Sequence, residues 1–399
     1  MKRMLMAGSA AIALGGCATM EQAGVPIAPA AEGPVAVAPP AGPAVPVPAN
    51  VLLAEWTGPY DGVPPWDQVR PELFPGAFQF AIDERRREVL AIADNPAPPT
   101  FENTVEALER SGERLDRVGA VFSVMTSNTT TPQYQALEKE WSPKLSAAYD
   151  EIVLNPALFA RVKTLHDTKA SLGLDATQDR LLTRLHDSFV RSGANLDDAQ
   201  KQQLSAMNQQ LAGLFTTFSE RVLADESTYI DAAAADLKGV PDDVRASLAA
   251  AAKERGRPAG TFSIKNTRSA VDPVLTFADD RALREKVWRA FVTRGDNGGP
   301  NDTNAIIAQI VKLRADRARL LGYQHHAEWR MQDTMAKTPQ RAMDLMNRVW
   351  PAAVARVEQE VADQQALARR LGHRISIEPW DYRYYQEKVR KARYDLSQD

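Results

Sequence analysis

One cysteine, Cys17, stands in 399 residues, so no disulfide framework can hold the chain together. No Gly-x-Ser-x-Gly elbow is present, which removes the usual serine-hydrolase signature. No Gly-x-x-x-x-Gly-Lys-Ser/Thr loop is present either. The run Gly295-Asp296-Asn297-Gly298-Gly299 lacks the preceding strand a phosphate loop needs, and reads as an elbow between helices. Neither charge sign is in excess: 48 Lys and Arg face 51 Asp and Glu, a formal net charge of -3. That balance lacks the basic face of a nucleic-acid binder, and no nucleic-acid partner is expected. The N-terminal apolar run, Met4 to Leu14, is too short to span a bilayer. No internal repeat is visible. Histidine is scarce, with five residues, and none of them falls in a His-Glu-x-x-His helix.

What is present begins with ordinary globular composition, 44% hydrophobic and 25% charged, in a chain long enough for two or more domains. Lys2 and Arg3 precede the Met4–Leu14 run, which ends in Leu14-Gly15-Gly16-Cys17. This resembles a bacterial lipobox. It implies export, cleavage after residue 16 and lipidation of Cys17, with acyl chains contributing about 0.8 kcal/mol per buried CH₂ to membrane attachment. A plain secretory signal that happens to contain a cysteine is the other reading. Ala18, rather than Asp, follows Cys17 and favours a lipid-anchored protein of the cell envelope, on the outer membrane facing the periplasm. Residues 17–50 alternate Pro with Ala, Val and Gly, cannot form a helix or a ladder, and read as an extended tether.

From Trp56 the chain is expected to be mostly α. An aperiodic aromatic loop comes first, then two helical pieces over 72–94, then a helix capped by Thr100 carrying Phe101, Val105, Leu108, Leu115, Val118 and Phe122. Helices follow over 133–152, from Pro156 to Leu165, from Asp175 or Thr177 to Val190, and from Asp197 to about Ala224. The last should turn Leu204, Leu211, Leu214, Phe215 and Phe218 inward. Three β-like runs, Thr228–Ile230, Thr261–Ile264 and Val274–Phe277, with a helix from Pro241 to Glu254, predict a small hairpin or three-stranded sheet.

The central stretch, residues 279–339, predicts two strong helices. Asp279 or Asp280 caps the first, whose stripe is Leu283, Val287 and Phe291. Asp302 or Thr303 caps the second, with Ile306, Ile310 and Leu313 inward and Gly322 beyond its end. A long helix is expected from Thr338-Pro339 to Leu371 with Pro351 inside it, and a last one from Gln386 to Asp395.

A metal site needs ligands about one helical turn apart and a third from elsewhere. His166 and His186 read as lone residues on amphipathic helices. His325 and His326 point about 100° apart on a helix and cannot share a metal, so they read as incidental surface residues. His373 follows Gly372 at a helix end, where the dipole favours a cation. The aromatic and basic segment 380–395 could stack on nucleic acid but is better read as packing. No catalytic and no metal-binding residue is assigned.

Several blocks carry a resemblance. PTFENTVEALERSG at 99–112, LNPALFARVKTL at 154–165, RALREKVWRAFVTRG at 281–295, TNAIIAQIVKLRADRARLLGY at 303–323 and PWDYRYYQEKVRKARYDL at 379–396 are similar, in this order, to the M3 family of zinc oligopeptidases. SLGLDATQDRLLTRLHDSFVRSGANL at 171–196 leans toward its peptidyl-dipeptidase branch. The resemblance covers about residues 51–399. It implies a helical ellipsoid cut by a deep channel, with zinc held by two histidines of a His-Glu-x-x-His helix and a downstream Glu, hydrolysing short peptides and plausibly releasing C-terminal dipeptides. Those ligands map onto no residue here. The division expected is a signal peptide at 1–16, a tether at 17–50, an N-terminal helical region at 51–225, a small β/α insertion at 226–278, and the start of the peptidase half at 279–399, cut before the zinc motif. Such a chain would bind no zinc, be inactive alone and expose apolar helix faces. The alternative is a non-catalytic helical envelope lipoprotein that binds peptides or a partner.

Overall fold

The computed structural model describes residues 45–59 and 62–396. The leader, Cys17 and most of the tether lie outside the described residues. The fold is mostly α with one two-stranded antiparallel sheet. A single 3₁₀ turn, Pro71–Leu73, leads into one continuous helix, α1 (Phe74–Ala93), in place of the two pieces expected.

The Thr100 helix divides. Thr100 forms a reciprocal cap with Asn103, the next turn is π-helical over Phe101–Glu106, and α2 is only Ala107–Glu109. Gly112 then turns left-handed at φ 80° before α3 (Glu113–Asn128). A Cβ there would meet Arg85 Cδ at 2.5 Å, and the Gly112 N–H donates to Glu88 Oε2 at 2.7 Å. The apolar stripe continues through this break, which is why periodicity alone reads one helix.

α4 (Pro132–Val153), α5 (Pro156–Thr168), α6 (Ala176–Arg191) and α7 (Asp198–Glu226) follow close to the expected bounds. Thr131, Asn155, Asp175 and Asp197 cap them through side-chain oxygens. Phe74, Phe78, Phe122, Tyr134 and Trp141 form one aromatic core, with Phe78 stacked on Trp141 at 5.2 Å. α7 packs against α4 on one side and α11 (Asn304–Leu320) on the other, burying Leu204 and Leu211. Phe215, expected inward, is 37% exposed.

β1 (Tyr229–Ala233) and β2 (Thr261–Lys265) pair in register Tyr229↔Lys265 to Ala233↔Thr261. α8 (Asp242–Glu254) lies between them and packs on β2. The third β-like run is no strand: Val274–Phe277 closes α9 (Arg268–Phe277). Val271, Val274, Leu275 and Ala278 are all buried, and their i, i+3, i+4, i+7 spacing suits one helix face better than alternation.

α10 (Arg281–Val292) starts at Asp280, whose carboxylate accepts from the Leu283 N–H at 2.8 Å. Between α10 and α11 the Gly-rich elbow wraps a buried carboxylate. Asp225 at the end of α7 accepts from Gly295 N–H at 2.8 Å, Asn297 Nδ2 at 2.8 Å and Asn301 Nδ2 at 2.9 Å. Thr303 precedes α11 but spends its hydroxyl on the Gly295 carbonyl, and Asp302 Oδ1 accepts from the Asn304 N–H at 2.9 Å instead. α12 (His326–Met331) and α13 (Pro339–Arg370) follow. α14 spans Tyr382–Tyr394 and so begins four residues earlier than its periodicity suggested, because Tyr384 and Tyr385 are core residues.

Candidate functional site

The histidines separate into three kinds of place. His166 on α5 and His186 on α6 are not lone residues: their rings stack at 3.9 Å and 5°. Phe159 stacks on His186 at 5.8 Å. Both Nδ1 atoms are buried without a hydrogen bond, with Asp167 and Asp187 at 3.8 and 3.7 Å. Burial first, and then the His166 charge, hold His186 below the usual imidazole range. His325 is a helix cap, its Nδ1 accepting from the Glu328 N–H at 3.1 Å. His326 is half-buried against Trp329, and burial, followed by Arg314, Arg317 and Arg330, pushes it down. His373 does not rest on a helix dipole alone; its Nδ1 and the Tyr385 hydroxyl lie 2.7 Å apart.

The 380–395 segment is packing, as its apolar face required. Asp381, fully buried, takes Arg284 Nη2 at 2.8 Å and Arg281 Nη2 at 2.9 Å. Arg284 also donates to the Ala278 carbonyl at 2.7 Å and lies 4.0 Å over the Tyr384 ring. The Tyr384 hydroxyl donates to Asp279 Oδ1 at 2.8 Å, and burial with that acceptor raises its pKa. This node ties α14 to the start of α10.

A cavity of about 430 Å³ lies where α4, α6, α7, α11 and α12 converge. Three guanidiniums, Arg191, Arg317 and Arg330, and two carboxylates, Asp150 and Asp333, line it. Arg191 is satisfied by Asp333 at 2.8 Å. Asp150 accepts from Asn208 Nδ2 at 2.9 Å, and Asn208 Oδ1 accepts from Arg317 Nη1 at 2.8 Å. Burial raises the Asp150 pKa, against the hydrogen bonds and the Arg317 charge that lower it. Arg317 lies 4.6 Å over Trp329, whose indole N–H donates to the Arg191 carbonyl at 2.9 Å. The Arg314 guanidinium lies 5.0 Å over the Phe215 ring, which also lines the cavity. Nothing along the chain marks this cavity: Arg317, Trp329 and Arg330 join the rest of its lining only where α12 packs on α11 and Trp329 reaches the end of α6.

Residues 274–399 match the model of peptidase family M3. The dipeptidyl carboxypeptidase of Escherichia coli (strain K12) is 38% identical over 351 residues, covering 88% of this chain and 51% of that protein. The dipeptidyl carboxypeptidase of Salmonella typhimurium (strain LT2) is 36% identical over 352 residues, and its oligopeptidase A 26% identical over 356, again with 88% of this chain and 51% of each relative covered. Residues 274–399 belong to peptidase family M3, and the similarity to dipeptidyl carboxypeptidase runs over 88% of the chain. It spans about half the length of the curated relatives it matches.

The family is one of zinc metallopeptidases, and the residues described here do not fit that ion. Among the described residues no three His, Cys, Asp or Glu side chains come together in a way that could hold a metal. His166 and His186 face each other ring to ring, and His325 and His373 are committed to a cap and to Tyr385.

Proposed function

We propose that this chain is the N-terminal portion of an M3 zinc peptidase acting on short peptides in the manner of a dipeptidyl carboxypeptidase, and that it is inactive alone. The observation that carries the reading is the 38% identity to a dipeptidyl carboxypeptidase, sustained over 88% of the chain and covering 51% of that relative. The zinc helix, His-Glu-x-x-His, would lie in the part of the relatives that this chain does not reach. In the first two-thirds of α13, Met343, Met346, Trp350, Val354 and Val357 form one exposed apolar face, with Trp350 at 64%. That face supports the reading, since stripes of this kind mark surfaces that are covered in the working protein.

Zinc content and cleavage of an internally quenched peptide, measured on the purified chain, test it. The expected result is no stoichiometric zinc and no chelator-sensitive hydrolysis. Stoichiometric zinc with cleavage would overturn it. The second reading, a non-catalytic envelope protein that binds peptides, is favoured by the cavity beside Arg317 and would show itself as peptide binding without turnover.

Lipidation of Cys17 and attachment to the outer membrane facing the periplasm belong to the same proposal, supported by Lys2, Arg3 and the Leu14–Cys17 box. Metabolic labelling with a fatty acid checks it, with Cys17→Ser expected to abolish the label. Labelling that survives Cys17→Ser would defeat it.

A further inference from the structure

The cavity between α7, α11 and α12 has more positive charge than its own carboxylates neutralise. Asp333 is taken by Arg191 and Arg184. Asp150 is reached by Arg317 only through Asn208. Arg330 has no hydrogen-bonded or ion-paired partner among the described residues, and Arg317 has no ion pair within 4 Å there. The Nε atoms of Arg314 and Arg317 are buried without an acceptor. Arg317 and Arg330 both line the cavity, and Arg317 is held below the usual guanidinium range by burial, then by Arg314 and Arg330.

Planar cations stacked on aromatic faces, with donors left over, suit a planar anion better than a spherical one. Trp329 holds the Arg317 guanidinium from one side, which leaves its edge for a ligand. The cavity also has apolar lining from Leu204, Leu211 and Tyr149. Its volume of about 430 Å³ accommodates a group of dipeptide size.

We propose that this cavity is a carboxylate-binding site: Arg317 and Arg330 take the carboxylate, and the apolar part of the ligand lies toward Leu204, Leu211 and Tyr149. The carboxylate can be the C-terminus of a short peptide or that of a small organic acid. The inference rests on the cavity and stands whichever way the peptidase reading falls.

Isothermal titration of the full chain tests it with four probes at low ionic strength: acetyl-alanyl-phenylalanine and its C-terminal amide, and hippurate and hippuramide. Each acid is expected to bind at least tenfold more tightly than its amide. Arg330→Gln is expected to remove most of that preference while leaving amide binding unchanged. Arg330 is exposed and unpartnered, so this variant keeps the fold; Arg317→Met, with thermal unfolding as its folding check, is expected to do the same more strongly. A peptide acid binding more tightly than hippurate identifies the peptide terminus as the source, and equal binding identifies small organic acids. Equal affinity of acid and amide, no binding of any probe, or an acid preference that survives both variants would overturn the proposal. Failure of the zinc and cleavage experiment leaves these outcomes untouched, so the two ideas fall separately.

Discussion

Arg284 and Asp381 meet at 2.8 Å across 97 residues of chain, with side-chain exposures of 2% and 0%. Neither charge has water to fall back on. Arg284 is otherwise held by two carbonyls and the Tyr384 ring, and Asp381 by Arg281 and the Glu378 N–H. Removing one member of such a pair strands the other, which typically costs about 3–5 kcal/mol. Asp381→Ala is expected to lower the unfolding free energy by that amount in urea, against about 1 kcal/mol or less for Arg281→Ala, whose side chain is 38% exposed. Equal, small losses for both would show that the pair does not hold α14 to α10. A double variant replacing Arg284 and Asp381 with apolar residues should lose less than the sum of the single losses.

The elbow between α10 and α11 depends on Asp225 in a different way. Its carboxylate organises three donors and replaces the backbone partners a regular turn would have. Asp225→Ala leaves the buried Gly295 N–H without an acceptor, at about 1–3 kcal/mol. Local hydrogen exchange is the sharper readout: the Gly295 amide should exchange much faster, while the aromatic core around Phe78 and Trp141 stays protected. Gly295→Ala should also destabilise, by about 1–2 kcal/mol, because φ is 69° there and its Cβ would press Thr303 Oγ1 at 3.0 Å.

Much of this fold could be read along the chain because its helices announce their starts locally. Asp175, Asp197, Thr100 and Asp280 sit where a side-chain oxygen can take an N–H two or three residues on, and the structure uses each of them so. Val274–Phe277 misled because β-branched and aromatic residues favour strands locally, and here burial of Val271, Val274 and Leu275 on one helix face overrides that preference. What stayed hidden is contact between elements distant in sequence. His166 and His186 are 20 positions apart, and only the packing of α5 on α6 lays one imidazole on the other. Arg317 and Trp329 are 12 positions apart, and they line one cavity together only because α12 packs on α11.

The stacked histidines make stability depend on pH in a predictable direction. His186 has a folded pKa below its ordinary value, so the unfolded chain binds the proton more readily in the window below about pH 6.5. Its contribution is present above that value and is lost as pH falls toward the folded pKa. His326 shifts the same way and adds to the slope. Asp167 and Asp187, facing the pair, oppose the loss without cancelling it. His186→Phe should flatten the fall in urea midpoint between about pH 7.5 and 5.5 without abolishing it, since His326 remains. An unchanged slope in this variant would mean that the stack titrates no differently from free imidazole.

The apolar face of α13 yields a prediction in which folding and association move apart. Trp350 is 64% exposed, Met346 52% and Met343 47%, while the same helix buries Gln364, Leu367 and Ala368 at its far end against α14. The exposed half therefore contributes little to the stability of the chain as described, and substitutions there should change unfolding free energy by about 0.5 kcal/mol or less. The same substitutions should alter how the chain behaves toward apolar surfaces. Trp350→Glu combined with Met346→Lys is expected to reduce binding of an apolar dye and to shift light scattering toward the monomer, at unchanged urea midpoint. A large fall in the midpoint would show that this face is already packed within the chain, and the reading of α13 as a surface to be covered would fail with it.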